Sequence, residues 1–140
     1  MFGPILNRIY PNGWSMNRSE GAWLETAFDL LSQSRRRQVL YYLLETDRAT
    51  IDDLARVVAR AEAGASVDEI DGDSENEIAI SLIHEHVPKL EAVGVIEYDR
   101  ERDVVAVTDG FEEIRGTIER SRGVEREGLS VSEVELVTGE

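Results

Sequence analysis

The apolar pattern of this sequence predicts a mainly α domain carrying a small β-hairpin. Aliphatic and aromatic residues recur at three- and four-residue spacing in successive stretches from Ala22 onward, as in helices with one buried face. Gly94 closes the fourth of these patterns, and two short β-branched runs, VIEYD and DVVAVT, follow it around the charged tip RERD. With 140 residues, 41% of them hydrophobic and 31% charged, there is material for one core.

Residues 1–20 read as an N-terminal arm, because Pro4, Pro11 and Gly13 break its apolar residues well short of a signal-peptide or membrane-spanning length. The domain spans 21–120. Its first helix, AWLETAFDLLS, places Trp23, Ala27, Leu30 and Leu31 on one face. Ser34 is the expected N-cap of RRRQVLYYLLETD, whose Leu40, Leu43 and Leu44 form a stripe. Thr50, with Asp53 three residues on, opens a third helix through Leu54, Val57, Val58 and Ala61, which Gly64 ends. Residues 65–77 are acidic and poor in apolar side chains, so they read as an exposed loop.

The next segment, IAISLIHEHVPKLEAVG, is ambiguous at its start. Ile78, Ile80 and Leu82 alternate as in a strand, whereas Ile80, Ile83, Val87 and Leu90 recur as in a helix. The helical pattern runs longer and is the one adopted, over about 78–93, with Pro88 bending the axis. The hairpin, 95–108, should present Ile96, Tyr98, Val104 and Ala106 to the core. A last helix carries Phe111, Ile114 and Ile118 as a narrow stripe suited to another helix. Residues 121–140 read as a flexible tail, frayed beyond 128.

Charge narrows the setting. The net charge is -14, the 29 acidic residues are spread along the whole chain, and Lys89 is the single lysine among 15 basic residues. An acidic surface with scarce lysine points to a halophilic cytoplasm, since a localised acidic tail would concentrate its charge in one block. The absence of cysteine excludes disulfides, thiolate metal sites and cysteine nucleophiles. No triad spacing, phosphate-cradling glycine loop or isolated carboxylate pair stands out, so neither an enzyme nor a bound cofactor is expected.

Helices followed by a two-stranded wing and a closing helix make the arrangement of a winged helix-turn-helix, in which the helix ahead of the wing, here about 78–93, enters the major groove and the hairpin touches the flanking backbone or minor groove. SRRRQVLYYLLETDRATIDDLARVVA followed by HEHVPKLEAVGVIEYDRERDVVAVTDG resembles the small haloarchaeal winged-helix domains of uncharacterised function and, more distantly, ArsR-type regulators. The likeness covers roughly residues 25–110, and His84 to Leu90, Gly94 and Tyr98-Asp99 are its most diagnostic residues. It implies a DNA-binding transcription regulator, dimeric and without enzymatic activity. One departure is the long acidic insert where a minimal helix-turn-helix has three or four residues.

With Ile80, Ile83, Val87 and Leu90 inward, Ser81, His84, Glu85 and Lys89 are the expected contacts to double-stranded DNA. Arg100 and Arg102 at the wing tip suit phosphates, as does the Arg35, Arg36, Arg37 cluster, although cations at a helix start oppose its dipole. His84 and His86 point about 200° apart on a helix, so they do not share a metal ion, and no metal site is expected. His86 should be part-buried on a backbone partner and His84 exposed. Trp23, Phe111, Ile114 and Ile118 are the candidate residues of a homodimer seam. A second reading keeps the fold and makes the chain an adaptor whose acidic helix docks a basic surface of another regulatory protein.

Overall fold

The computed structural model describes residues 16–64 and 72–127, with side chains from Ala22 onward. Among the described residues six α-helices and three short strands follow in the order α1 (Met16–Leu31), α2 (Ser34–Thr46), β1 (Arg48–Thr50), α3 (Ile51–Ala63), α4 (Gly72–Ser81), α5 (Val87–Ala92), β2 (Ile96–Asp99), β3 (Val104–Val107) and α6 (Asp109–Arg126). A π-helical turn, Leu82–His86, joins α4 to α5 without leaving helical backbone, so 72–92 is one continuous helical segment. No described helix is long and apolar enough to cross a membrane.

Local signals account for most boundaries. Thr50 accepts from the backbone N–H of Asp53 while the Asp53 carboxylate accepts from that of Thr50, a reciprocal cap that fixes the start of α3. Ser34 is the first helical residue of α2 and not its cap, which is Gln33 in extended backbone with no side-chain bond. Gly94, at φ 85°, takes the left-handed conformation that releases the chain from α5 into β2. Within the segment expected as a loop, 72–77 is helical, because Asp73 and Glu75 lie in the first turn of α4, where carboxylates favour the helix dipole.

The sheet is three-stranded and antiparallel, in the order β1-β3-β2, where the sequence predicts only a hairpin. At three residues, β1 is too short to show alternation. Opposed residues share a face of the sheet, so the pairing of Val105 with both Tyr98 and Ala49 sets which side is inward. Ile96 and Val105 are buried. The expectation that Val104 and Ala106 face the core is therefore out of phase by one residue.

The core runs between the helices and the sheet. Leu30 from α1, Val39, Leu40 and Leu43 from α2, Leu54 and Val58 from α3, and Val95 and Val105 from the sheet region meet Phe111, Ile114 and Ile118 of α6, all fully enclosed. The last three were expected to be an intermolecular seam; they are instead interior, because α6 folds back onto α2 and α1. At the start of α6 the backbone of Gly110 lies so close to that of Gly94 that a Cβ would sit 2.4 Å from its carbonyl oxygen.

Candidate nucleic-acid interface

The segment 72–92 is built around Pro88. Proline has no N–H, so the carbonyl of His84 loses its helical donor, and the chain widens ahead of it: Val87 donates five residues back to Leu82. That turn accommodates one extra residue. The inward positions after it are Val87 and Leu90, as expected, but before it they fall on Ile78 and Leu82, with His86 also inward. Ile80 and Ile83, expected in the core, are turned out and are 58% and 36% exposed.

The outward face therefore differs from the expected one. Asp73, Glu77, Ile80 and His84 recur at three-, four- and seven-residue steps and share its centre. Half-buried Ser81 and exposed Glu85 and Lys89 form one flank, and Asn76 and Ile83 the other. All four expected helix contacts thus lie toward solvent, but Lys89 is engaged, its Nζ 2.7 Å from Asp29 Oδ2. That hydrogen bond, against an opposing effect of burial, holds the Asp29 carboxyl below its usual range.

The arginine cluster serves the fold. Arg36 is 3% exposed; its Nε donates to the carbonyl of Leu30 at 3.1 Å and its Nη2 to that of Asp29 at 2.7 Å, while Arg37 donates to Leu31 O at 2.7 Å. These are last-turn carbonyls of α1, which lack helical partners and carry the negative end of its dipole. The cations oppose the dipole of α2 but cap α1. Arg35 is tied to Glu62 through Nε and Nη2, and Arg37 to Glu125. Arg36 is thus unavailable to phosphate, and Arg35 is committed to a bidentate ion pair.

Arg36 also reaches His86, Nη1 to Nδ1 at 3.3 Å. Because a guanidinium only donates, Nδ1 is the acceptor and the neutral ring carries its proton on Nε2. His86 is buried as the sequence suggested, but its partner is a side chain and not the backbone. Burial lowers its pKa; Glu85 opposes that shift, and the charges of Arg36 and Arg35 reinforce it. Exposed His84 and buried His86 lie on opposite sides of the segment. Among the described residues no group of three His, Asp or Glu side chains is placed to hold a metal ion.

The β2–β3 hairpin is fixed to this segment. The Glu91 carboxylate accepts from the backbone N–H of Tyr98 at 3.0 Å, and Thr108 Oγ1 donates to the carbonyl of Gly94. At the tip, Asp99 accepts from the backbone of Glu101 and Arg102, and Tyr98 donates to Asp103 at 2.7 Å. Burial, then that carboxylate, raises the Tyr98 pKa. Arg100 lies over the Tyr98 ring, 5.2 Å from its centroid. Its guanidinium is 3.9 Å from Glu91 and that of Arg102 is 3.8 Å from Asp99, with side chains 66% and 83% exposed.

A protein-family model described as a domain of unknown function, DUF7344, matches residues 28–106, and the chain belongs to that family. No curated protein and no solved structure matches the chain.

Proposed function

We propose that this DUF7344 chain is a winged helix-turn-helix transcription regulator that lays the segment 72–92 in the major groove of double-stranded DNA and sets its wing on the adjoining backbone. One observation carries the reading. The outward face of 72–92 has no described element packed over it, and Glu91 holds it beside a wing whose tip carries two loosely paired arginines, Arg100 and Arg102. Exposed ion pairs at such separations are worth about 0–1 kcal/mol, so a phosphate replaces the carboxylate at little cost. Arg35 and Lys89, hydrogen-bonded to theirs, do not exchange so readily. The reading assigns no catalytic residue and no cofactor, and it places the protein in the cytoplasm.

A net charge of -14 makes long-range repulsion the main obstacle. The screening length shrinks from about 8 Å at physiological salt to about 3 Å at 1 M, which suits the halophilic setting read from composition. Selection from randomised duplexes by the full chain in molar potassium chloride should enrich one site. Two phosphate contacts per chain, four in a dimer, give a slope of about -3.6 in log K against log salt, and Arg100→Ala or Arg102→Ala, each removing two contacts from the dimer, should shrink it by about 1.8. Absence of any enriched duplex removes the reading.

A homodimer is part of the proposal, with a different seam from the one the sequence suggests. Exposed Leu24 and Phe28 on α1 and Val124 on α6 supply apolar surface on two helices that touch, while Trp23 is only partly exposed. Phe28→Glu should give monomers by light scattering, and a parent chain already monomeric would refute the dimer.

A second reading is favoured by Ile80 and Ile83 standing exposed among Asp73, Glu77 and Glu85. In it the same face docks a basic segment of another regulatory protein. Its outcome is no enriched duplex, together with an arginine-rich amphipathic peptide that binds the parent chain and not Ile80→Asp.

A further inference from the structure

Ile80 sits at the centre of the outward face with most of its side chain in water, flanked one turn away by Glu77 and His84. No arginine or lysine lies at that centre, and Lys89 on the flank is bonded to Asp29. The commonest specific base contact, a cation on guanine O6 and N7, is therefore not what this face offers. It offers an aliphatic surface and carboxylate acceptors. In the major groove the only apolar group on any base edge is the C5-methyl of thymine, and the group that suits a carboxylate is the amino group of cytosine.

We infer that Ile80, with Ile83 beside it, is a specificity-determining residue that reads thymine methyl groups, and that Glu77 accepts from a neighbouring cytosine amino group. The inference rests on the DNA-binding reading and names the bases that reading leaves open. The proximity of Glu77 and Ile80, three residues apart on one face, sets the two contacts on adjacent or next-adjacent base pairs, so the site contains thymine beside cytosine under the centre of the helix.

Uracil differs from thymine only by that methyl group, so it isolates the contact. With the duplex selected in molar potassium chloride, thymines are replaced by uracil one at a time. One or two positions should bind about fourfold more weakly, the factor that corresponds to ~0.8 kcal/mol for one buried carbon, and the rest should not change. Ile80→Ala should bind the thymine duplex about fourfold more weakly and lose the uracil penalty at one position. An unchanged urea midpoint shows that this variant is folded.

If the selected duplex binds equally well with every thymine replaced, or Ile80→Ala keeps the full penalty, the inference falls and DNA binding stands. If no duplex is enriched at all, both fall. Binding of the arginine-rich peptide in place of any duplex gives Ile80 to a protein partner and likewise overturns the inference.

Discussion

Two helical segments of this chain carry apolar residues at the same spacing and use them in opposite ways. In α6, Phe111, Ile114 and Ile118 are wholly enclosed; in 72–92, Ile80 and Ile83 face water. The sequence predicts the reverse, an intermolecular stripe in α6 and a buried one in 72–92. Spacing establishes that a stripe exists and says nothing about what covers it. In α6 the cover is α2 and α1, which return to it from the far end of the sequence. In 72–92 the stripe itself is displaced, because Pro88 induces a π-turn and the inward side shifts by one residue.

The sharpest way to break this contrast is Phe111→Asp. Truncating a buried phenylalanine costs about 3–5 kcal/mol, and an uncompensated buried carboxylate adds to that. The total rivals the roughly 5–15 kcal/mol that stabilises a domain. The variant should therefore be unfolded by far-UV circular dichroism. A folded, soluble variant that had merely changed its oligomeric state would return Phe111 to an intermolecular seam.

Next in size is Arg36→Met, which tests how 72–92 is held against the end of α1. It keeps the aliphatic stem but removes the donor to Leu30 O, Asp29 O and His86 Nδ1. Asp29 O keeps its bonds from the backbone N–H and hydroxyl of Ser32, but Leu30 O and His86 Nδ1 lose the guanidinium, and hydrogen bonds from a charged group are worth about 1.5–3 kcal/mol each. A loss of roughly 3 kcal/mol in urea unfolding is expected. A loss below about 1 kcal/mol would show that water takes the place of the guanidinium, and that the junction of α1 and α2 is not closed.

The same junction gives stability a pH dependence of smaller size. The folded-state pKa of His86 lies below its usual value, so the unfolded chain takes up the proton first. The contribution is complete above the unfolded value of about 6.5 and is lost as the pH falls through the folded one. Protonation would also set an N–H of the ring against Arg36. His86→Gln, whose amide oxygen still accepts, should flatten the urea midpoint against pH below about 6.5. A slope equal to that of the parent would locate the titration elsewhere.

How far the sequence could be read follows from these residues. Helices with local signals were legible: the Thr50–Asp53 cap is reciprocal, Gly94 does turn left-handed, and a hairpin lies around RERD. What failed depended on partners distant in sequence. The three-residue β1 has no pattern of its own and exists because β3 pairs with it. The arginine run looked like a phosphate clamp because its partners, the end of α1 with Glu62 and Glu125, are supplied by the fold. At the candidate site the exposed flank of Ser81, Glu85 and Lys89 was found, since it lies on the solvent side under either phase. Its centre, Glu77 and Ile80, was missed, although Pro88 four residues after His84 is the local sign of a widened turn.

The smallest expected effect is on Ile80 itself, and it sharpens the comparison most. A core isoleucine cut to alanine costs about 2–5 kcal/mol, which is the result the uninterrupted stripe Ile80, Ile83, Val87, Leu90 would require. A side chain already 58% exposed loses little by truncation, so Ile80→Ala should leave the urea midpoint within about 0.5 kcal/mol of the parent. Leu82→Ala, one π-turn phase away and fully enclosed, should show the core-sized loss that Ile80→Ala does not. If the two exchanged roles, the segment would be an unbroken α-helix despite Pro88, and the outward face would present Ser81, His84 and Glu85 without an aliphatic centre. Near-neutrality of Ile80→Ala means the folded monomer gains almost nothing from an isoleucine there, so any requirement for it would come from what the face binds.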